Sequence, residues 1–319
     1  MFSIMQEPRA VPKLKSLPWF NSKPLDWTDL LGHVVMFDFM TYSCVNCVRT
    51  FDHMNQMWNK YKDKGFLLVG IQTPEFDFEK DPMNVEAAIG RYNLKYPVVM
   101  DNDYLLWNFF LNQYWPAQYF VDFKGNFRHV HIGEGGEGEI EEWIIRLLRE
   151  AGHDIPMKKE KDKESPREEQ TPEIYGGSAR NSGLGNGPVC LPNGCHQYID
   201  KANRHEPESL YLNGSWRQDP EYLEHEDEEE AYILLIYNGK EVNLVLTSPE
   251  KADVEVLLDG NPVRPEDASM GIVFRDGKSF ISVDRDDMFR LIKTTVSGQH
   301  EIKVVTRTKG LRVFAFTFG

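Results

Sequence analysis

Two cysteines three positions apart, Cys44 and Cys47, stand between a short apolar run and a stretch of helical period, and this junction constrains the fold most. His33–Phe39 (HVVMFDF) has the length and composition of a buried strand. Beyond Cys47, Val48, Phe51, Met54, Trp58 and Tyr61 recur three or four apart as far as Lys62, and Gly65 supplies a stop. The pair therefore lies where a strand hands over to the start of a helix. Backbone N–H groups there lack an intrahelical partner and the helix dipole favours negative charge, so a thiolate on the first cysteine is stabilised. The second cysteine, one turn further in, is placed to attack a mixed disulfide at the first and release the bound thiol. Zinc sites share this spacing but need more ligands, and the nearest suitable residue, His53, is on the same helix. An inert pair is the third reading; dithiol exchange accounts best for the position.

The rest of the first half alternates strand and helix signals. Phe66–Ile71 reads as a second buried strand, Asn84–Tyr92 as a short helix, Pro97–Met100 as a short strand and Tyr104–Phe110 as a helical turn. Gln118–Asp122 and Phe127–His131, joined by Lys124-Gly125-Asn126, form a hairpin. Glu139–Ala151 closes the region as an amphipathic helix, with Ile140, Trp143, Ile144, Leu147 and Leu148 on its apolar face. This order predicts an α/β domain, a mixed sheet flanked by helices, over residues 1–155. Lys158–Pro172 has no apolar residue, so 156–175 reads as a charged linker. Residues 176–319 predict an all-β jelly roll or sandwich. Short strands begin at Tyr232 and are separated by Asn238-Gly239, Asp259-Gly260 and Asp276-Gly277 turns, whereas Gly176–Gly194 reads as an irregular loop.

Further residues fit dithiol chemistry. Asp38, six positions before Cys44, is aimed under the pair by strand alternation and could accept the proton of Cys47; a strand acid paired with a lysine is the plainer reading. Pro116 follows Trp115 and precedes a strand, where a cis bond would bring backbone beside the sulfurs and offer edge hydrogen bonds to a substrate chain. Its alternative is a trans proline starting an edge strand. Trp115 and Tyr42, which adjoin the proline and the dithiol, are candidate substrate contacts. Glu75, after the second strand, is a candidate second proton relay or a solvated loop acid. Cys190 and Cys195 flank Leu191-Pro192-Asn193-Gly194, and a structural disulfide there would indicate an oxidising compartment. A second redox pair, a metal site with His196, or two free thiols remain open. Tyr211, Trp216, Tyr232 and Tyr237 could stack on sugars, but at strand spacing they suit a core.

The run FDFMTYSCVNCVRTF resembles the strand, acid, C-x-x-C and helix of the thioredoxin fold. TYSCVNCVRT, QTPEFDFEKD, YPVVMDND, QYWPAQYFVD and RHVHIGEGGEGE more narrowly resemble the extracytoplasmic part of DipZ-type proteins, TlpA/ResA-like reductases. The resemblance implies Cys44 as nucleophile, Cys47 as resolving cysteine, Asp38 as the buried acid and Pro116 as the cis-proline. It also implies a CcdA-like membrane electron donor and a second domain similar to carbohydrate-binding modules, with a possible glycan partner; RVFAFTFG resembles the end of that domain. Cys-Val-Asn-Cys departs from thioredoxin's Gly-Pro pair, so a redox poise does not carry over.

The sequence thus points to a thiol–disulfide oxidoreductase that reduces protein disulfides, the Cys44–Cys47 pair being its electron store, with no organic cofactor and no metal. A thiol peroxidase is the alternative enzyme, because Thr41 precedes Cys44 at the Thr-x-x-Cys spacing; a glycan- or protein-binding module with an accessory redox domain is the third reading. With 50 acidic against 36 basic residues, the net charge of −14 argues against phosphate-driven nucleic-acid binding. Met1–Leu17 carries charges and prolines and no apolar signal core. That fits a cytosolic chain, or one whose numbering begins after a removed signal or inside a longer polypeptide; the resemblance favours an extracytoplasmic place.

Overall fold

A computed structural model describes residues 12–156, 170–191 and 194–319. The chain divides into two compact units, Met1–Ser165 and Pro166–Gly319. The first contains β1 (Trp19–Phe20), α1 (Trp27–Leu30), β2 (Val34–Met40), α2 (Val45–Tyr61), β3 (Phe66–Gln72) and α3 (Pro82–Arg91). It continues through β4 (Val98–Met100), α4 (Leu105–Phe110), β5 (Ala117–Val121), β6 (Phe127–Ile132) and α5 (Glu137–Glu150). Six strands form one sheet in the order β1-β4-β3-β2-β5-β6. β2, β3 and β4 run parallel, and β1, β5 and β6 join antiparallel.

Every residue of β2 is buried, because both faces of this central strand are covered. On one face Phe37 and Phe39 meet Phe110 and Trp107 of α4. On the other, Met36 is paired in register with Phe120, whose ring contacts Trp143 of α5. Asp38 alternates onto this second face. Along α2 the buried positions include Cys47, Phe51, Met54, Met57 and Tyr61. Met57 faces inward and Trp58 is half-buried, a one-residue rotation of the stripe expected from periodicity alone. Trp143 is likewise half-buried and stacks on His129, with ring centroids 4.4 Å apart.

The strands of the second unit pair antiparallel throughout. Its strands are β7 (Ile174–Tyr175), β8 (Pro188–Leu191), β9 (Gly194–Tyr198), β10 (Tyr211–Gln218), β11 (Leu223–His225) and β12 (Ala231–Thr247). β13 (Ala252–Leu258), β14 (Asn261–Pro262), β15 (Ile272–Arg275), β16 (Lys278–Val283), β17 (Asp287–Thr306) and β18 (Arg312–Phe318) complete it. All twelve belong to one hydrogen-bonded sheet. Asp259-Gly260 and Asp276-Gly277 form two-residue turns, with φ of 51° and 73° in the first and 49° and 74° in the second.

Asn238-Gly239 is not a turn. Gly239 pairs with Gly298, the register shifts just beyond it, and β12 runs on beside β17. An Asn-Gly step permits reversal, but a neighbouring strand that bulges at the same level lets the chain continue. The Gly176–Gly194 stretch is also not one irregular loop, since β8 lies within it and pairs with β9. The tip residues 192 and 193, the linker residues 157–169 and the side chains of Cys190 and Cys195 lie outside the described residues, and with them the disulfide expectation.

Candidate active site

Cys44 is the N-cap of α2, at φ −82° and ψ 117°, and its carbonyl accepts the N–H of Val48 at 3.0 Å. Both cysteines are free thiols in this structure. Cys44 is 6% exposed and Cys47 fully buried, so the first sulfur is the outer one without being widely open. Burial, followed by the hydrogen-bonded Cys44 sulfur, pushes the Cys47 thiol well above its ordinary range. Cys47 therefore holds its proton until a base removes it.

The acid whose charge acts on Cys47 is Asp38. Its side chain is fully buried; Oδ1 accepts a 2.8 Å hydrogen bond from Gln118 Nε2, and Oδ2 has no partner among the described residues. Burial raises its pKa from 3.8 to about 6, the Gln118 bond opposing the shift. A carboxylate titrating there is ionised at neutral pH and poised to take a proton.

Sequence reading overlooked a second buried acid. Glu75 is half-exposed, and it is Glu79, four residues on, that is fully buried. Thr41 and Ser43, from the loop leading to Cys44, donate to Glu79 Oε1, Ser43 at 2.6 Å. The N–H groups of Glu75 and Phe76 donate to Oε2, Phe76 at 3.0 Å. Gln72 Nε2 adds a 2.9 Å bond to Thr41 Oγ1. One carboxylate thus ties the nucleophile loop to the loop after β3. Burial raises its pKa, and these four hydrogen bonds oppose the shift. The available signal was its place directly after Phe78, at the end of the Phe76-Asp77-Phe78 run.

The pairing of Ala117 with Phe39 sets Pro116 beside the end of β2, where the Thr41–Cys44 loop begins. The Trp115–Pro116 bond is cis. Trp115 Nε1 donates to the Thr73 carbonyl at 3.1 Å, and the ring lies 4.2 Å from that of Trp107. Trp107 is held by α4, whose first turn is capped by Asp101: its carboxylate accepts the N–H groups of Leu106 and Trp107 at 2.9 and 2.8 Å. Tyr42 is buried beneath the site, 2% exposed, with its ring against Phe78. Arg49 of α2 pairs with Glu134 beyond β6 at 3.1 Å.

Comparison with known proteins fits this geometry. The AhpC/TSA family model matches residues 10–130, and the model described as a thioredoxin-like C-terminal domain matches 171–319. Protein DipZ of Mycobacterium bovis is 31% identical over 318 residues, 97% of this chain and 43% of DipZ. The thiol-disulfide oxidoreductase YkuV of Bacillus subtilis is 28% identical over 133 residues, covering 41% of this chain and 88% of YkuV. The thiol-disulfide oxidoreductase ResA of Bacillus thuringiensis is 25% identical over 127 residues, covering 40% of this chain and 70% of ResA. The chain spans less than half the length of DipZ. It joins an AhpC/TSA-type, thioredoxin-like domain to a thioredoxin-like C-terminal domain of antiparallel sheet, and it is homologous to thiol–disulfide oxidoreductases.

Proposed function

We propose that this chain reduces disulfides in protein substrates through Cys44 and Cys47. The observation that carries the reading is the outer Cys44 at the head of α2, with the buried Cys47 one turn in and subject to the charge of Asp38. Cys44 attacks a substrate disulfide, a Cys44–substrate bond forms, and one substrate sulfur leaves as a thiolate that solvent protonates. Cys47 gives its proton to Asp38 and attacks the Cys44 sulfur, and the second substrate thiol departs. Two electrons have passed to the substrate and the enzyme pair is a disulfide. Trp115 and Pro116 supply the surface against which the substrate chain is held. A membrane dithiol carrier of the CcdA kind is the proposed reductant that restores the pair.

The test is insulin reduction in the presence of a small dithiol. Cys44→Ser should abolish turnover, and Cys47→Ser should accumulate mixed disulfides visible by mass spectrometry. An active Cys44→Ser variant would sink the proposal.

A thiol peroxidase is the second reading, favoured by the AhpC/TSA match and by Thr41 at the right spacing. The Thr41 hydroxyl, however, donates to Glu79 and accepts from Gln72, a commitment away from a peroxide. Peroxide consumption faster than insulin reduction would favour that reading. For a glycan partner, Tyr211, Trp216 and Tyr237 give no platform because they are buried, and Lys303 covers the Tyr232 ring at 3.6 Å. A glycan array would reveal a site elsewhere on the second unit.

A further inference from the structure

Asp38 has a neighbour in register on each side within the sheet. β3 sets Gly70 against it and β5 sets Gln118. Cross-strand partners share a face, so Gln118 stands beside the carboxyl while Gly70 has no side chain to offer. A Cβ at Gly70 would lie 2.9 Å from Cε2 of Tyr96, so that ring fills the room the glycine leaves. Asp38 and Gln118 are both fully buried. Among the described residues, the Asp38 side chain makes one hydrogen bond, the 2.8 Å bond that Oδ1 accepts from Gln118 Nε2.

A buried strand acid is ordinarily paired with a cation, and here the partner is an uncharged amide. The titratable groups on which the Asp38 charge acts are Cys47 of α2 and Tyr96, just before β4. Neither is a cation. His131, the next residue in register beyond Gln118, lies on β6 and has its Nδ1 3.0 Å from Glu139 of α5. The distinction matters for a base. A lysine or arginine in contact would hold the carboxyl ionised so firmly that it would take up a proton poorly. An amide donor favours the ionised form through a single hydrogen bond and adds no charge. It also divides the labour between the two oxygens. Oδ1 is committed to Gln118, and Oδ2, without a partner among the described residues, is left to receive a proton.

We propose that Gln118 is the positioning residue of the proton transfer: its amide fixes Asp38 through Oδ1, keeps the carboxyl ionised beforehand and directs the Cys47 proton to Oδ2. This rests on the exchange mechanism above, in which Cys47 yields its proton to Asp38. The proton leaves the Cys47 sulfur and arrives on Oδ2, so the carboxylate becomes neutral as the thiol becomes a thiolate. Gln118 exchanges no proton and does not touch substrate.

The test reads ionisation in the full chain without substrate, so it stands or falls apart from the reductase assay. Gln118→Met keeps the side chain's length and removes the donor. In it the 13C carboxyl titration of Asp38 should move upward from about 6 by about one unit, a tenfold change in its proton equilibrium. The acid limb of the kcat profile should move with it, and KM for insulin should not change. A second measurement needs no Gln118 variant. The side-chain 15N–1H signals of Gln118 in the native chain should show an inflection near pH 6 as Asp38 ionises, and Asp38→Asn should abolish it. An Asp38 titration unmoved in Gln118→Met would overturn the proposal even if insulin is reduced. So would a Gln118 signal that ignores pH around 6, or an inflection that survives Asp38→Asn. The titrations as expected would uphold it even if insulin is not reduced.

Discussion

Burial raises the Asp38 carboxyl from 3.8 to about 6, so between those values the unfolded chain releases a proton that the folded chain keeps. The sign follows from linkage. Stability associated with this group is complete below about pH 4 and is lost as pH rises through about 6. Asp38→Asn removes that loss, and it should gain on the order of 3 kcal/mol over the native protein at pH 7 with little difference at pH 4. Denaturant melts at the two pH values check this. The same variant should lose the limb of the pH–rate profile near pH 6, with turnover slowed at every pH because Cys47 has lost its base. A variant that keeps the limb would take Asp38 out of the proton path.

Two elements depend on single carboxylates. Glu79 joins the loop before α2 to the turn after β3 through four hydrogen bonds. Glu79→Ala removes the acceptor that the N–H groups of Glu75 and Phe76 and the hydroxyls of Thr41 and Ser43 share, a cost of about 2–4 kcal/mol that chemical denaturation should register. Turnover should fall by about tenfold or more, because the loop that aims Cys44 loses its tie. Asp101 plays the matching part for α4. Asp101→Ala should destabilise the chain by about 1–2 kcal/mol and loosen the Trp107–Trp115 contact, seen as a loss of near-ultraviolet circular dichroism. An unchanged aromatic spectrum would show that packing alone places Trp107.

At the scale of the whole molecule, each unit has a core of its own. Phe37, Phe39, Ile71 and Leu106 belong to the first, and Trp216, Tyr237, Leu244 and Phe316 to the second. A unit with its own core can fold alone. The fragment 12–156 should therefore reduce insulin within about twofold of the full chain, and 170–319 should unfold cooperatively by calorimetry. A large loss of activity in the first fragment would assign the second unit a direct part in catalysis.

The sequence by itself determined the chemistry and the order of elements in the first unit. A C-x-x-C between an apolar run and a helical period is a local pattern, and the helices and strands around it repeat over a few residues, so near neighbours suffice to read them. Asp38 was legible for the same reason, since strand alternation fixes its face. Tertiary structure decided whatever depends on distant partners. Glu79 rather than Glu75 is the buried acid because the hydroxyls of Thr41 and Ser43, on another loop, converge on it. The Tyr96 ring packs on β3 because Gly70, opposite Asp38, has no side chain to fill the space. The long β12 passes through Asn238-Gly239 because β17 runs beside it and bulges at Gly298. Each of these is settled by what packs or pairs from far along the chain, which no local period records.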